Sequence, residues 1–224
     1  MSSDPPLERE VVETGPAPER CVIWLHGLGA DGFDFVPLVP ELHLPAAPPV
    51  RFVFPHAPHQ PVTVNGGYVM RAWYDIVAPD LRARQDAEGI KRSQQALIAL
   101  IQEQIDQGVA AKHIVLAGFS QGGAVALYTA LRYAEPLAGV LALSTYLPLA
   151  DTSAAELQAG NVGVPIFMAH GDADPIVPLD AAVQSRRWLQ ELGLNVEWHE
   201  YAMQHSVCHE EIGHIGQWLQ QVLA

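Results

Sequence analysis

A serine flanked by glycines is the first candidate for chemistry in this chain. Residues 118–122 read Gly-Phe-Ser-Gln-Gly, which matches the pattern G-x-S-x-G, and lie between the apolar run "HIVLAG" and the helix-like run "QGGAVALYTALRYA". At such a strand-to-helix turn, small neighbours let a strained serine project beyond the edge of a sheet as a nucleophile. We therefore predict that Ser120 is a nucleophile. The alternative is an inert serine in a glycine-rich turn.

A serine hydroxyl needs a base, and the base needs an acid that orients it. At this kind of turn the acid and then the histidine follow the serine in chain order. Among the late histidines, His205 falls in a loop between the strand-like "NVEWHEY" and the last helix-like run. The acid should follow the strand-like "PIFMAHG", where Asp172 and Asp174 are available. The proline after Asp174 favours an extended backbone, so the pattern favours Asp174 without excluding Asp172.

The glycine-rich segment "WLHGLGADG" (24–32) predicts a backbone donor for an oxyanion. Its glycines allow the N–H of Leu28 or Gly29 to face the serine. The helix that begins at Gln121 directs its free N–H groups at the same place. The alternative is a phosphate-binding loop, but neither G-x-G-x-x-G nor a Walker lysine follows, which argues against nucleotide binding.

Short apolar runs alternate with longer amphipathic ones, which predicts an α/β fold with a mostly parallel sheet covered by helices on both faces. We predict strands at residues 21–25, 51–55, 113–118, 139–144, 165–171 and 195–201, the last at an edge of the sheet. We predict helices at residues 88–108, 121–134, 179–193 and 209–224.

One long connection, residues 55–87, interrupts this alternation and contains Pro55, Pro58, Pro61 and Pro79. Connections of this length inside a domain are usually functional or disordered. The apolar run "YVMRAWY" within it favours an ordered loop that walls a binding groove. Since no other segment reads as a linker, we predict a single domain over residues 1–224.

The composition argues against several classes of partner. The chain has 12 Lys and Arg against 25 Asp and Glu, a formal charge of -13, which disfavours nucleic acid and anionic lipid. The first twenty residues lack a signal-peptide pattern, and the longest apolar segment is too short for a membrane span. Cys21 opens an apolar run and is expected to be a buried free thiol. Together these features predict a cytoplasmic protein.

Five segments together resemble the carboxylesterase and acyl-protein thioesterase (lysophospholipase-like) group of small α/β-hydrolases. They are "HGLGADG", "FPHAPHQPVTVNGGYVMRAWYDI", "GFSQGG", "HGDADPIVP" and "MQHSV". The resemblance covers about residues 7 to 223 and looks closest to the bacterial carboxylesterase branch. It implies an α/β-hydrolase fold without a separate cap domain, no metal or organic cofactor and, as in many members, a homodimer.

The resemblance also implies roles for individual residues. Ser120 would be the nucleophile, Asp174 the orienting acid and His205 the base, with oxyanion donors from the backbone of Leu28 and Gln121.

In this family, the loop around Trp73 and Tyr74 helps to wall the acyl site. The alternative for these two residues is a structural anchor that fastens the loop to the core. We predict substrate contacts from Trp73, Tyr74, Val177 and Met203.

These features predict a serine carboxylesterase that hydrolyses small acyl esters through an acyl-enzyme and prefers short- to medium-chain acyl groups. The alternative is an acyl-protein thioesterase or lysophospholipase that acts on long acyl chains. A third hypothesis is a catalytically silent binding module, but the usual mark of one, a missing member of the triad, is not found.

Overall fold

A seven-stranded sheet forms the centre of the computed structural model, which describes residues 7–78, 80 and 84–224. The strands of this sheet are β1 (Arg9–Glu13), β2 (Arg20–Leu25), β3 (Val50–Pro55), β6 (Ile114–Phe119), β7 (Gly139–Leu143), β8 (Ile166–Gly171) and β9 (Val196–Tyr201). Their spatial order is β1-β3-β2-β6-β7-β8-β9. Every neighbouring pair is parallel except β1 and β3, which confirms the predicted mostly parallel sheet.

Helices cover both faces of this sheet. They are α1 (Ala87–Asp106), α2 (Gln121–Arg132), α3 (Ala150–Glu156), α4 (Leu179–Glu191) and α5 (His209–Val222). Buried residues of α1, α2 and α4 belong to one apolar core, and those of α5 belong to the other. The four predicted helices are confirmed with ends within two residues of those observed. The short α3 was not predicted.

Strand β2 shows why the central strands are almost continuously apolar. Cys21, Ile23 and Leu25 enter the core under α1 and α2, while Val22 and Trp24 enter the core under α5. Because both faces of a parallel sheet are covered, both sets of side chains are buried. The edge strand β9 has a more exposed, alternating pattern, as predicted.

The connection over residues 55–87 contains a small hairpin that was not predicted. Its strands are β4 (His59–Val62) and β5 (Tyr68–Arg71), which pair antiparallel. The predicted loop also includes Pro79 and residues 81–83, which lie outside the described residues. The part of the loop that is described is ordered, whereas its role in binding and the single-domain assignment remain predictions.

Both cysteines are free, and Cys21 is fully buried, as expected from its apolar run. Burial raises the pKa of the Cys21 thiol to about 12. Of the helices in the described part of the chain, none is long and apolar enough to span a membrane.

Candidate active site

Ser120 is the single residue between β6 and α2, and its backbone is strained. Its φ is 54° and its ψ is -120°, a region that residues with a side chain rarely adopt. Two contacts hold this geometry: the Ser120 N–H donates to the Leu143 carbonyl at 2.8 Å, and the Thr145 hydroxyl donates to the Ser120 carbonyl at 2.6 Å. The strain places the Ser120 side chain at the carboxyl edge of the sheet.

The neighbouring glycines are required by close packing. A Cβ on Gly118 would overlap the backbone of Gly122, and a Cβ on Gly122 would overlap the Leu25 carbonyl at the end of β2. Only hydrogen at both positions lets α2 start this close to β2 and β6. The glycines that identify the motif in the sequence therefore shape the turn itself.

The three side chains of the predicted triad form one hydrogen-bonded chain. The Ser120 Oγ lies 2.9 Å from His205 Nε2, and His205 Nδ1 lies 2.7 Å from Asp174 Oδ2. Since a carboxylate only accepts, His205 Nδ1 carries the proton, and the bare Nε2 accepts from the serine hydroxyl. The arrangement can remove a proton from Ser120 as its oxygen attacks a carbonyl.

Asp174 is held at both of its oxygens, while Asp172 is exposed to solvent. The Asp174 Oδ1 accepts hydrogen bonds from the N–H groups of Ile176 at 2.8 Å and Val177 at 2.9 Å, which leaves Oδ2 for His205. The structure thus brings Asp174, the residue favoured by the sequence, to the histidine.

His170, at the end of β8, also contacts the acid and was not singled out in the sequence. It is fully buried, and its Nε2 lies 2.8 Å from the Val177 carbonyl and 3.4 Å from Asp174 Oδ2. Burial is the main cause that lowers the pKa of His170, so the ring is neutral and donates from Nε2. It fastens the acid loop to the strand. The available signal was a histidine directly before "GDAD".

Two backbone N–H groups are free to stabilise an oxyanion. Gln121 is the first residue of α2, so its N–H has no partner within the helix. Leu28 follows β2, and its neighbour Gly29 donates instead to the Arg71 carbonyl at 2.8 Å. Within the part of the chain described, neither the Leu28 nor the Gln121 N–H donates a hydrogen bond.

The four predicted substrate contacts differ in exposure. Trp73 and Tyr74 are only 3% and 1% exposed, and Val177 is 3% exposed, whereas Met203 is half-buried. The Tyr74 hydroxyl bonds to the Tyr146 hydroxyl at 2.9 Å. This burial favours the anchor alternative for Trp73 and Tyr74. A substrate contact from any of the four residues stays a prediction.

The described residues contain no group of three His, Cys, Asp or Glu side chains placed to hold a metal ion.

The comparisons with known proteins agree on one family. The family described as "Phospholipase/Carboxylesterase" matches residues 7–223. Acyl-protein thioesterase 1 of Neurospora crassa is 43% identical over 212 residues, which are 90% of this chain and 86% of that protein. Acyl-protein thioesterase 1 of Yarrowia lipolytica is 40% identical over 222 residues, 97% and 98% of the two chains.

A solved structure gives the same result at the level of the fold. The crystal structure of Zea mays acyl-protein thioesterase 2 matches with a TM-score of 0.86 at 28% identity, and the match covers 97% of this chain and 99% of that one. These matches confirm the expected α/β-hydrolase fold. The two curated relatives are fungal, so the expected closeness to the bacterial carboxylesterase branch is not supported.

Proposed function

Because the chain belongs to the phospholipase/carboxylesterase family and is a serine hydrolase, we propose that it hydrolyses long-chain acyl thioesters through an acyl-Ser120 intermediate. The observation that carries this proposal is the hydrogen-bonded chain from Asp174 through His205 to Ser120, with distances of 2.7 and 2.9 Å. The choice of thioesters is supported by the names of the two fungal relatives, each at least 40% identical to this chain.

The reaction follows from the protonation states that these contacts require. His205 Nε2 takes the proton of Ser120 while the serine oxygen forms a bond to the thioester carbonyl carbon. The N–H groups of Leu28 and Gln121 donate to the resulting oxyanion. When the tetrahedral intermediate collapses, the carbon–sulfur bond breaks, and the leaving sulfur takes the proton from His205 Nε2 and departs as the free thiol, so that His205 is neutral again. Asp174 holds the imidazole in the required tautomer and stabilises its charged form.

Water completes the cycle on the acyl-enzyme. His205 takes a proton from water as the water oxygen attacks the acyl carbon, and returns a proton to Ser120 when the ester bond breaks. A cysteine thiol has a pKa of about 8.5, so a thiolate leaves with less help from His205 than an alkoxide requires. Oxygen esters are therefore expected to react more slowly at the acylation step.

Exposed apolar side chains near the site suit a long acyl chain. Phe33 follows the loop that carries Leu28, Tyr68 and Val69 lie on the hairpin, and Ile176 lies on the acid loop; all four are more than half exposed. The hairpin is joined to the Leu28 segment through the bond from Gly29 to the Arg71 carbonyl. A contiguous exposed apolar patch often marks a ligand-binding groove, and we propose that these four side chains contribute to one.

The test compares N-acetylcysteamine thioesters with the matching N-acetylethanolamine oxygen esters, from butyryl to palmitoyl. We expect kcat/KM to rise with acyl length and to be higher for each thioester than for its ester. Ser120→Ala should lower the rate by about three to six orders of magnitude without changing the circular dichroism spectrum.

Each contrary outcome has a distinct meaning. An optimum at butyryl oxygen esters would favour the short-chain carboxylesterase predicted from the sequence. Normal turnover by Ser120→Ala would refute the nucleophile. A wild-type protein that neither turns over any substrate nor reacts with a fluorophosphonate probe would be a silent binding module.

A further inference from the structure

The side chains of Gln121 and Trp73 connect the two segments that carry the proposed oxyanion donors. We propose that this pair, the amide–indole bridge, sets the positions of the Leu28 and Gln121 N–H groups, and that Trp73 is a positioning residue instead of a wall of the acyl site. The inference rests on the proposed function, because it concerns how that site stabilises an oxyanion.

The first half of the bridge is the Gln121 side chain, which is 3% exposed. Its Oε1 accepts from the Trp73 N–H at 2.7 Å, and its Nε2 donates to the Tyr74 carbonyl at 2.6 Å. The amide can make both bonds in one orientation only, because a backbone N–H donates and a carbonyl accepts. The Gln121 side chain thereby fastens the segment of Trp73 and Tyr74 to the start of α2.

The second half is the Trp73 indole, whose Nε1 donates to the His26 carbonyl at 2.9 Å. His26 lies two residues before Leu28. The His26 ring is also fixed, since its Nε2 accepts from the Ala57 N–H at 3.0 Å. Burial lowers the pKa of His26 to about 4, so the ring is neutral at neutral pH and keeps this acceptor.

The residue after Leu28 is also hydrogen-bonded to the segment 71–73. Gly29 donates to the Arg71 carbonyl at 2.8 Å, so Leu28 lies between two residues, His26 and Gly29, that are both bound to residues 71–73. The Leu28 peptide is thus positioned by the same segment that the Gln121 side chain holds.

This connection matters because two donors must converge on one oxygen. An oxyanion hole is effective when its N–H groups lie about 2.7–3.1 Å from the developing charge, and displacement by about 1 Å costs up to a hundredfold in rate. The pairing of β2 with β6 and the close approach at Gly122 bring the start of α2 near the loop after β2. The amide–indole bridge adds three hydrogen bonds between buried groups that connect this helix start to the segment that carries Leu28.

The test is Trp73→Phe, which keeps an aromatic ring and removes the indole N–H. The matched control is Trp24→Phe: Trp24 is also buried, at 1% exposure, and its Nε1 has no partner among the residues described. Both variants lose the same indole volume, but only Trp73→Phe loses a bond to the Leu28 segment. Gln121→Met, which keeps the backbone N–H and removes both amide bonds, is the second test variant.

Turnover of a palmitoyl thioester and binding of an alkylboronic acid are measured together. The boronic acid bonds to the serine oxygen, and its tetrahedral adduct places an oxygen where the oxyanion would form. We expect Trp73→Phe and Gln121→Met to lower kcat by about ten- to a hundredfold with KM within threefold. The boronate dissociation constant should rise by a similar factor, while Trp24→Phe stays within threefold of wild type in both measurements.

The inference would be overturned if Trp73→Phe and Trp24→Phe lowered kcat by the same factor. It would also be overturned if Trp73→Phe raised KM and left kcat unchanged. These results would leave the proposed function intact, because the wild type would still turn over thioesters. A wild-type protein that neither hydrolyses acyl compounds nor binds the boronate would overturn the proposed function, and the inference with it.

Discussion

At the scale of single residues, the two oxygens of Asp174 have different partners. This difference determines how an asparagine would be oriented in Asp174→Asn. The two N–H donors of Ile176 and Val177 at Oδ1 require the carbonyl oxygen of an asparagine at that position. The amide NH₂ then faces His205 Nδ1, which must accept, so the proton moves to Nε2. A protonated Nε2 cannot accept the proton of Ser120. We expect kcat to fall about 10⁴-fold with the fold unchanged.

The control for this prediction is Asp172→Asn, which removes the same charge from the same loop at an exposed position. Its kcat should stay within threefold of wild type in a steady-state assay with a palmitoyl thioester. If Asp172→Asn lost the activity and Asp174→Asn kept it, the acid would be Asp172.

The sequence predicted some residues of the candidate site and missed others. Ser120, Asp174 and His205 could be predicted as a triad because a nucleophile elbow prescribes the order of its partners along the chain, and the structure places their side chains within hydrogen-bond distance. Spacing alone left Asp172 open beside Asp174, and the family resemblance implied Asp174; the sequence did not show the turn in which the N–H groups of Ile176 and Val177 converge on one oxygen of Asp174. His170 was missed because a histidine at the end of an apolar run looks like a core residue, and its contact with Asp174 exists only after the loop folds back.

At the scale of elements, the junction of β2, β6 and α2 depends on the absence of a side chain at Gly122. We expect Gly122→Ala to lower the free energy of unfolding by about 1–3 kcal/mol, because the new Cβ meets the backbone carbonyl of Leu25, which cannot move without shifting β2. Urea unfolding followed by circular dichroism measures this change.

Gly213→Ala is the matched control, since Gly213 lies within α5 and a Cβ there would meet nothing within 4 Å. That variant should gain up to about 1 kcal/mol from the better helix propensity of alanine. Equal effects of the two substitutions, in either direction, would show that the contact with β2 does not control the stability of the elbow.

The elements that were predicted and those that were missed differ in how much apolar surface they bury. The central strands carry strong patterns because their side chains enter both cores, and the four long helices carry them because each packs against one of the two cores. Strand β1 and the hairpin of β4 and β5 have mostly half-buried or exposed residues, so their sequences carry little pattern. Helix α3 has seven residues, of which only Ser153 is buried, and lacks the apolar stripe that identifies a helix.

At the scale of the whole molecule, a buried carboxyl group at the start of α5 couples stability to pH. Glu211 is 0% exposed, and its Oε2 accepts from the Cys208 N–H at 3.4 Å. Burial raises the pKa of Glu211 from 4.5 to about 8. The native state therefore binds more protons than the unfolded chain between these two values. The contribution of Glu211 to stability is complete below about pH 4.5 and is lost as pH rises to about 8.

Because wild type loses this stability as pH rises, we can predict the behaviour of Glu211→Gln, which stays neutral at every pH and keeps an oxygen for the Cys208 N–H. The variant should match wild type in unfolding free energy at pH 5 and exceed it by about 1–4 kcal/mol at pH 9. Glu210→Gln removes the same charge at the adjacent exposed position and should show no such rise. Urea unfolding curves from pH 5 to 9 measure the free energy of unfolding of both proteins. If the difference between wild type and Glu211→Gln were constant over this range, Glu211 would be ionised in the native state throughout it.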